Sequence, residues 1–153
     1  MNVYADHAAT TPMRPCAKEA MLEAVEDYGN PSSIHSAGRL VAMKMESARK
    51  EMAELLNCRP SEIYFTSGGT EADNWAIRAA KDGDGRVVAS AFEHHAIIHT
   101  LEGMEREKIR RMELVKPERD GIVDPKKVRQ EVNQYTNMVT IMAANNEVGT
   151  IQP

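Results

Sequence analysis

Cysteine is scarce in this sequence: 153 residues hold only Cys16 and Cys58. The two stand far apart, without the Cys-x-x-Cys or Cys/His spacing of a zinc or redox site, so each reads as an inert thiol. Long hydrophobic runs are missing too, although 42% of the residues are hydrophobic, and no membrane span is expected. The N-terminus, Met1-Asn2-Val3-Tyr4-Ala5-Asp6, has neither a basic leader nor an apolar signal core, which makes a cytoplasmic protein the expectation. Clustered positive charge is also lacking. The net charge is −4, and the basic residues are scattered or paired with acids, as in Glu105-Arg106-Glu107-Lys108, so no nucleic-acid partner is expected. Internal repeats and low-complexity tracts are absent, and the length suits one ordinary domain with a real core.

What is present is an alternation of helix-like and strand-like signals. Residues 15 to 28 space Ala17, Met21, Ala24, Val25 and Tyr28 as one helical face and stop at Gly29. Residues 36 to 57 repeat the pattern with Val41, Met45, Ala48, Met52 and Leu55 on one face, and the methionines read as core rather than cofactor contacts. Ile63-Tyr64-Phe65-Thr66 is β-prone, and Glu71 to Ala80 reads helical. A strand at Arg86-Val87-Val88-Ala89, a helix from about Ala96 to Glu107 and a strand from Arg111 to Val115 follow. Asp124-Pro125 caps and opens a helix running through Val132. A final apolar strand spans residues 138 to 143. The expected fold class is therefore α/β, a mostly parallel sheet flanked by helices on both faces.

Such a sheet places its ligands at the carboxyl ends of its strands. Three segments there are polar or glycine-rich. In Thr66-Ser67-Gly68-Gly69-Thr70, glycines entering a helix expose backbone N–H groups at the positive end of the helix dipole, a seat for phosphate, with the Ser67 and Thr70 hydroxyls as further donors. It is no Walker motif, since the lysine is missing, and a tight capped turn reads the same residues equally well. His94 follows a strand, where an imidazole can stack on a flat heteroaromatic or move protons; a capped surface histidine is the plainer reading. His95 and His99 form an i, i+4 pair near Glu93 but lack the third ligand of a metal site, so no metal is expected. Asn145 and Asn146 offer amides that can orient an oxygen, or they are turn residues before Gly149.

Taken together the segments are specific. Tyr4 to Pro12 (YADHAATTP), Gly29 to His35 (GNPSSIH), Phe65 to Ala72 (FTSGGTEA), Glu93 to Ala96 (EHHA) and Asn145 to Pro153 (NNEVGTIQP) resemble, in order and spacing, the NifS/IscS-type cysteine desulfurases. Asp73 and Trp75 depart mildly, standing where that family often has asparagine and an aliphatic residue. The resemblance implies part of a fold-type I enzyme that uses pyridoxal 5'-phosphate (PLP). It implies activity as a homodimer, with L-cysteine as substrate, L-alanine and an enzyme persulfide as products, and an iron–sulfur scaffold or sulfur-acceptor protein as partner. By that resemblance Gly69 and Thr70 hold the cofactor phosphate, His94 stacks on the ring and assists proton transfer, and Asn146 contacts the 3-oxygen. Residues 1–12 would be an N-terminal arm on the small-domain side, and residues 13–153 the N-terminal half of the cofactor-binding large domain.

PLP chemistry also needs a Schiff-base lysine, an acid facing the pyridine nitrogen and, for desulfuration, a mobile nucleophilic cysteine. The resemblance puts all three beyond Pro153. None of the eight lysines, Lys81 among them, sits in the apolar setting a Schiff-base lysine wants. The chain alone is expected to be inactive, to bind PLP weakly at best and to be prone to aggregate. A selenocysteine lyase or kynureninase-like enzyme of the same superfamily, or a non-catalytic interaction module, are the other readings.

Overall fold

The computed structural model describes residues 2–80 and 85–153. The chain divides into two compact units, Met1–Phe65 and Thr66–Pro153, each described by itself.

In the first unit, α1 (Pro15–Val25) starts with proline at its first turn, where the missing N–H costs nothing. The second helix, α2 (Ser36–Leu55), is capped by the His35 side chain, which accepts the Gly38 N–H at 3.3 Å. Gly38 is required there, because a Cβ would stand 2.5 Å from the Asn30 carbonyl oxygen. A 3-10 turn, Pro60–Glu62, follows. The methionines read as core, Met21, Met45 and Met52, are exposed: α1 buries none of its residues, and α2 buries only Gly38 and Ala53. Leu55 is 81% exposed and Tyr28 85% exposed. Burying an apolar stripe takes a second apolar surface, and within this unit the bond between the α2 region and the residues after α1 is a Lys44–Asp27 ion pair instead.

The β-prone run at residues 63–66 forms no strand. A strand exists only as part of a ladder, and no described strand pairs with this run. Its anchor is Arg49, which donates to the Ile63 carbonyl and lies 4.8 Å from the Phe65 ring centroid.

The second unit holds the sheet. It comprises α3 (Gly69–Ala79), β1 (Arg86–Ser90), α4 (His95–Arg106), β2 (Arg111–Val115), α5 (Pro125–Glu131) and β3 (Thr136–Thr140). The strands are parallel in the order β2-β1-β3. As the middle strand, β1 carries Val87, Val88 and Ala89 fully buried. The even and odd side chains of β1 point to opposite faces and meet different cores. Val87 and Ala89 pack with Ile77 of α3 and with Ile97, Leu101 and Met104 of α4. Val88 packs on the other face with Val115 and Val123, against Val128 of α5. The parallel sheet covered on both faces thus follows the sequence expectation. Boundaries shifted: α3 begins two residues before Glu71, and β3 begins two and ends three residues earlier than residues 138–143, its C-terminal end lying short of Met142, which gives its N–H to the Glu93 carboxylate rather than to a ladder.

Candidate functional site

The carboxyl ends of β1 and β3 lead into the two loops that carry His94 and Asn146, and α3 brings a third segment to the same level. The α3 N-terminus comes first. Gly68 is its N-cap in extended backbone, and no side chain caps the helix. Nothing lies within 4 Å of where a Cβ would stand on Gly68 or Gly69. The helix start is therefore bare, its N–H groups lead outward, and a group can approach the backbone closely. The Thr70 hydroxyl has no partner among the described residues. Ser67, by contrast, is engaged: its N–H and hydroxyl donate to Glu71 Oε2 at 2.6 and 2.7 Å. Those bonds, the backbone one first, hold the Glu71 carboxyl below its ordinary range. Of the two hydroxyls expected to serve an anion, only that of Thr70 is open.

His94 is the N-cap of α4. Its Nδ1 accepts the Ala96 N–H at 3.1 Å, which fixes the ring and turns Nε2 away from the helix. The plain reading of a capping histidine and the chemical one coincide here, since capping is what orients the ring. The two helix starts are tied side by side through Asn74. Its amide nitrogen donates to the Thr70 carbonyl at 2.9 Å and, at 3.5 Å, to the Ala96 carbonyl. Its amide oxygen accepts the Thr100 hydroxyl at 2.8 Å. Gly69, Thr70 and His94 are thereby brought together.

Asn146 reaches the same edge by a different route. Asn145, 5% exposed, donates to the Phe92 carbonyl at 2.9 Å and accepts the N–H groups of Glu147 and Val148 at 2.9 and 2.8 Å. This Asx turn, closed by backbone bonds from Asn145 to Thr150 and from Gly149 to Asn145, leaves Asn146 exposed at its tip beside the His94 loop. Sequence reasoning took Asn145 and Asn146 together, as amides that need a partner or as turn residues, and missed what Asn74 does. An amide at the end of a buried strand was the available signal for Asn145; nothing local marked Asn74.

His95 and His99 stack with ring centroids 4.8 Å apart, but Glu93 is turned inward to Ser90 and Met142. Among the described residues no group of three or more His, Cys, Asp or Glu is disposed to hold a metal. The described lysines are all exposed, and Lys81 lies outside the described residues. No described helix is long and apolar enough to cross a membrane.

A bare helix start, an oriented imidazole and an amide-bearing turn along one edge suit a phosphorylated planar ring. Comparison with known proteins points the same way. Residues 3–153 match the aminotransferase class-V family. The chain belongs to that family. Cysteine desulfurase IscS of Methanosarcina thermophila is 42% identical over 99% of this chain and 38% of its own length. The IscS-like cysteine desulfurase of Mycobacterium tuberculosis is 40% identical over 98% of this chain and 40% of its own. The chain thus spans about two fifths of the length of these class-V relatives. Among solved structures, a NifS-like protein superposes with a TM-score of 0.94 at 36% identity, covering 100% of this chain and 43% of that one. A structure titled SspA in complex with cysteine follows, with a TM-score of 0.89 at 29% identity, covering 98% of this chain and 44% of the other.

Proposed function

We propose that these residues form the phosphate and ring side of the cofactor site of a PLP-dependent cysteine desulfurase, which converts L-cysteine to L-alanine and an enzyme persulfide. The observation that supports this reading is that Asn74 ties the start of α3, with Gly69 and Thr70, to the start of α4 behind His94, while Asn145 ties the Asn146 turn to Phe92, two residues before His94.

In this reading the Gly69 and Thr70 N–H groups and the Thr70 hydroxyl bind the phosphate, aided by the α3 dipole. When bound, the cofactor supplies an electron sink for bond cleavage beside the substrate's α-carbon. His94 covers the ring face with its imidazole and, with Nδ1 engaged at Ala96, holds or delivers a proton at Nε2. Asn146 directs its amide to the ring's 3-oxygen. The lysine that anchors the cofactor and the cysteine that accepts sulfur lie outside residues 1–153, so this stretch alone does not turn over cysteine. Residues 1–12 belong to an arm on the small-domain side, and residues 13–153 to the large domain. The working enzyme is a cytoplasmic homodimer that hands sulfur to an iron–sulfur scaffold or another acceptor protein.

The test is a chimera joining residues 1–153 to the remainder of the Methanosarcina relative. It should release alanine from L-cysteine, and His94→Ala should abolish that release. A folded, PLP-loaded chimera that yields no alanine would refute the assignment.

A further inference from the structure

Glu93 has no part in the chemistry above, yet its placement is unusual. The residue is 9% exposed, and one carboxylate oxygen, Oε1, accepts two hydrogen bonds: the Ser90 hydroxyl at 2.6 Å and the Met142 N–H at 2.6 Å. Ser90 is the last residue of β1, and Met142 lies just beyond the end of β3. The ladder between these strands runs out at Ala89 and Thr140. Past that rung no further backbone bond between the two strands is present among the described residues, and the strands lead into the His94 loop and the Asn146 turn. The Glu93 side chain spans this gap where the backbone pairing stops. Charge-assisted acceptors of this kind are the stronger class of hydrogen bond, and a buried carboxylate holds its place only when so engaged.

We infer that Glu93 is a positioning residue of the cofactor site: it acts as one further rung between β1 and β3, and so sets the distance between His94, its chain neighbour, and Asn146. This rests on the reading that both loops face one bound ring. Asn145, which bonds to Phe92, is a second tie between the same loops, so losing Glu93 should loosen the pair without separating it.

Three variants of the chain test this: Glu93→Ala, Glu93→Gln and His94→Ala. Each is followed by amide hydrogen exchange and by NMR titration with pyridoxamine 5'-phosphate, which carries the ring and phosphate but does not react with lysines. Removing the acceptor should speed exchange at the Met142 amide about tenfold, the net worth of roughly one hydrogen bond, while Val88 and Ala89 within the ladder keep their protection. Affinity for pyridoxamine phosphate should fall with it. Gln offers the same Oε1 acceptor, so Glu93→Gln should restore both readouts. Where Glu93→Ala fails to fold, Ser90→Ala takes its place: it cuts the rung at its β1 end and keeps the Met142 acceptor, so affinity for pyridoxamine phosphate should fall while Met142 exchange changes less than tenfold, and unchanged affinity overturns the inference.

An unchanged Met142 exchange rate in Glu93→Ala overturns the inference. So does faster exchange with unchanged affinity while His94→Ala still weakens binding; in that outcome the cofactor site stands and Glu93 does not position it. Affinity unchanged in both variants overturns the cofactor reading and the inference with it.

Discussion

The Asn145 side chain donates to the carbonyl of Phe92 across 53 positions of sequence, at 2.9 Å, while the next residue, Asn146, is left exposed. Two identical, adjacent residues therefore divide the labour, one internal and one outward. Asn145→Ala strands the Phe92 carbonyl and the turn's two N–H groups, and should lower unfolding stability by about 1–3 kcal/mol in urea titration. Asn146→Ala should stay within about 0.5 kcal/mol and weaken pyridoxamine phosphate binding instead.

Glycines in the two units should respond in opposite ways. At Gly69 a Cβ meets nothing within 4 Å, whereas at Gly38 it would press on the Asn30 carbonyl and Ser33. Gly69→Ala should keep or slightly raise the melting temperature, since alanine is the better helix former by about 1 kcal/mol, yet it should reduce phosphate affinity by obstructing the approach to the backbone. Gly38→Ala should lower the melting temperature. Thermal unfolding with and without pyridoxamine phosphate reads both.

The phosphate-seat loop should loosen in acid. Hydrogen bonds from the Ser67 N–H and then its hydroxyl depress the Glu71 carboxyl below its ordinary value of 4.5. A folded value below the unfolded one means that the contribution is present above the unfolded pKa and is lost as pH falls through the folded one. The Ser67 amide resonance should therefore shift in a transition below pH 4.5, and Glu71→Gln should remove that transition. Lys127 runs the other way. The hydrogen bond to Glu118, followed by that carboxylate's charge, raises its pKa from 10.5, so its contribution is present below that value and is lost as pH rises through the folded value.

Much of this molecule was legible in its sequence, and unevenly so. The sheet unit was read well because its signals are local: Asp124-Pro125 caps a helix, and a β-branched run such as Val87-Val88 has to be buried on both faces in a parallel sheet. The helices of the first unit were also found, but their methionines were taken for core, which periodicity alone cannot decide, since it shows that a face is apolar and not what covers it. Ile63 to Thr66 has strand composition, but a ladder needs a partner that no residue in the run specifies. Glu93, Asn74 and Asn145 act on residues 22 to 53 positions away, which no spacing rule reveals. Leu101→Ala and Leu55→Ala separate the two kinds of apolar residue. The first, 1% exposed, should cost about 2–5 kcal/mol; the second should change stability by no more than about 0.5 kcal/mol.

Where a phosphorylated pyridine ring contacts the chain is the most direct test. Amide chemical shifts of the labelled chain, titrated with pyridoxamine 5'-phosphate, should move together in three stretches: Ser67 to Glu71, Glu93 to Ala96 and Asn145 to Glu147. Shifts confined to the opposite edge of the sheet, around Lys108 and Arg111, would contradict the site described here.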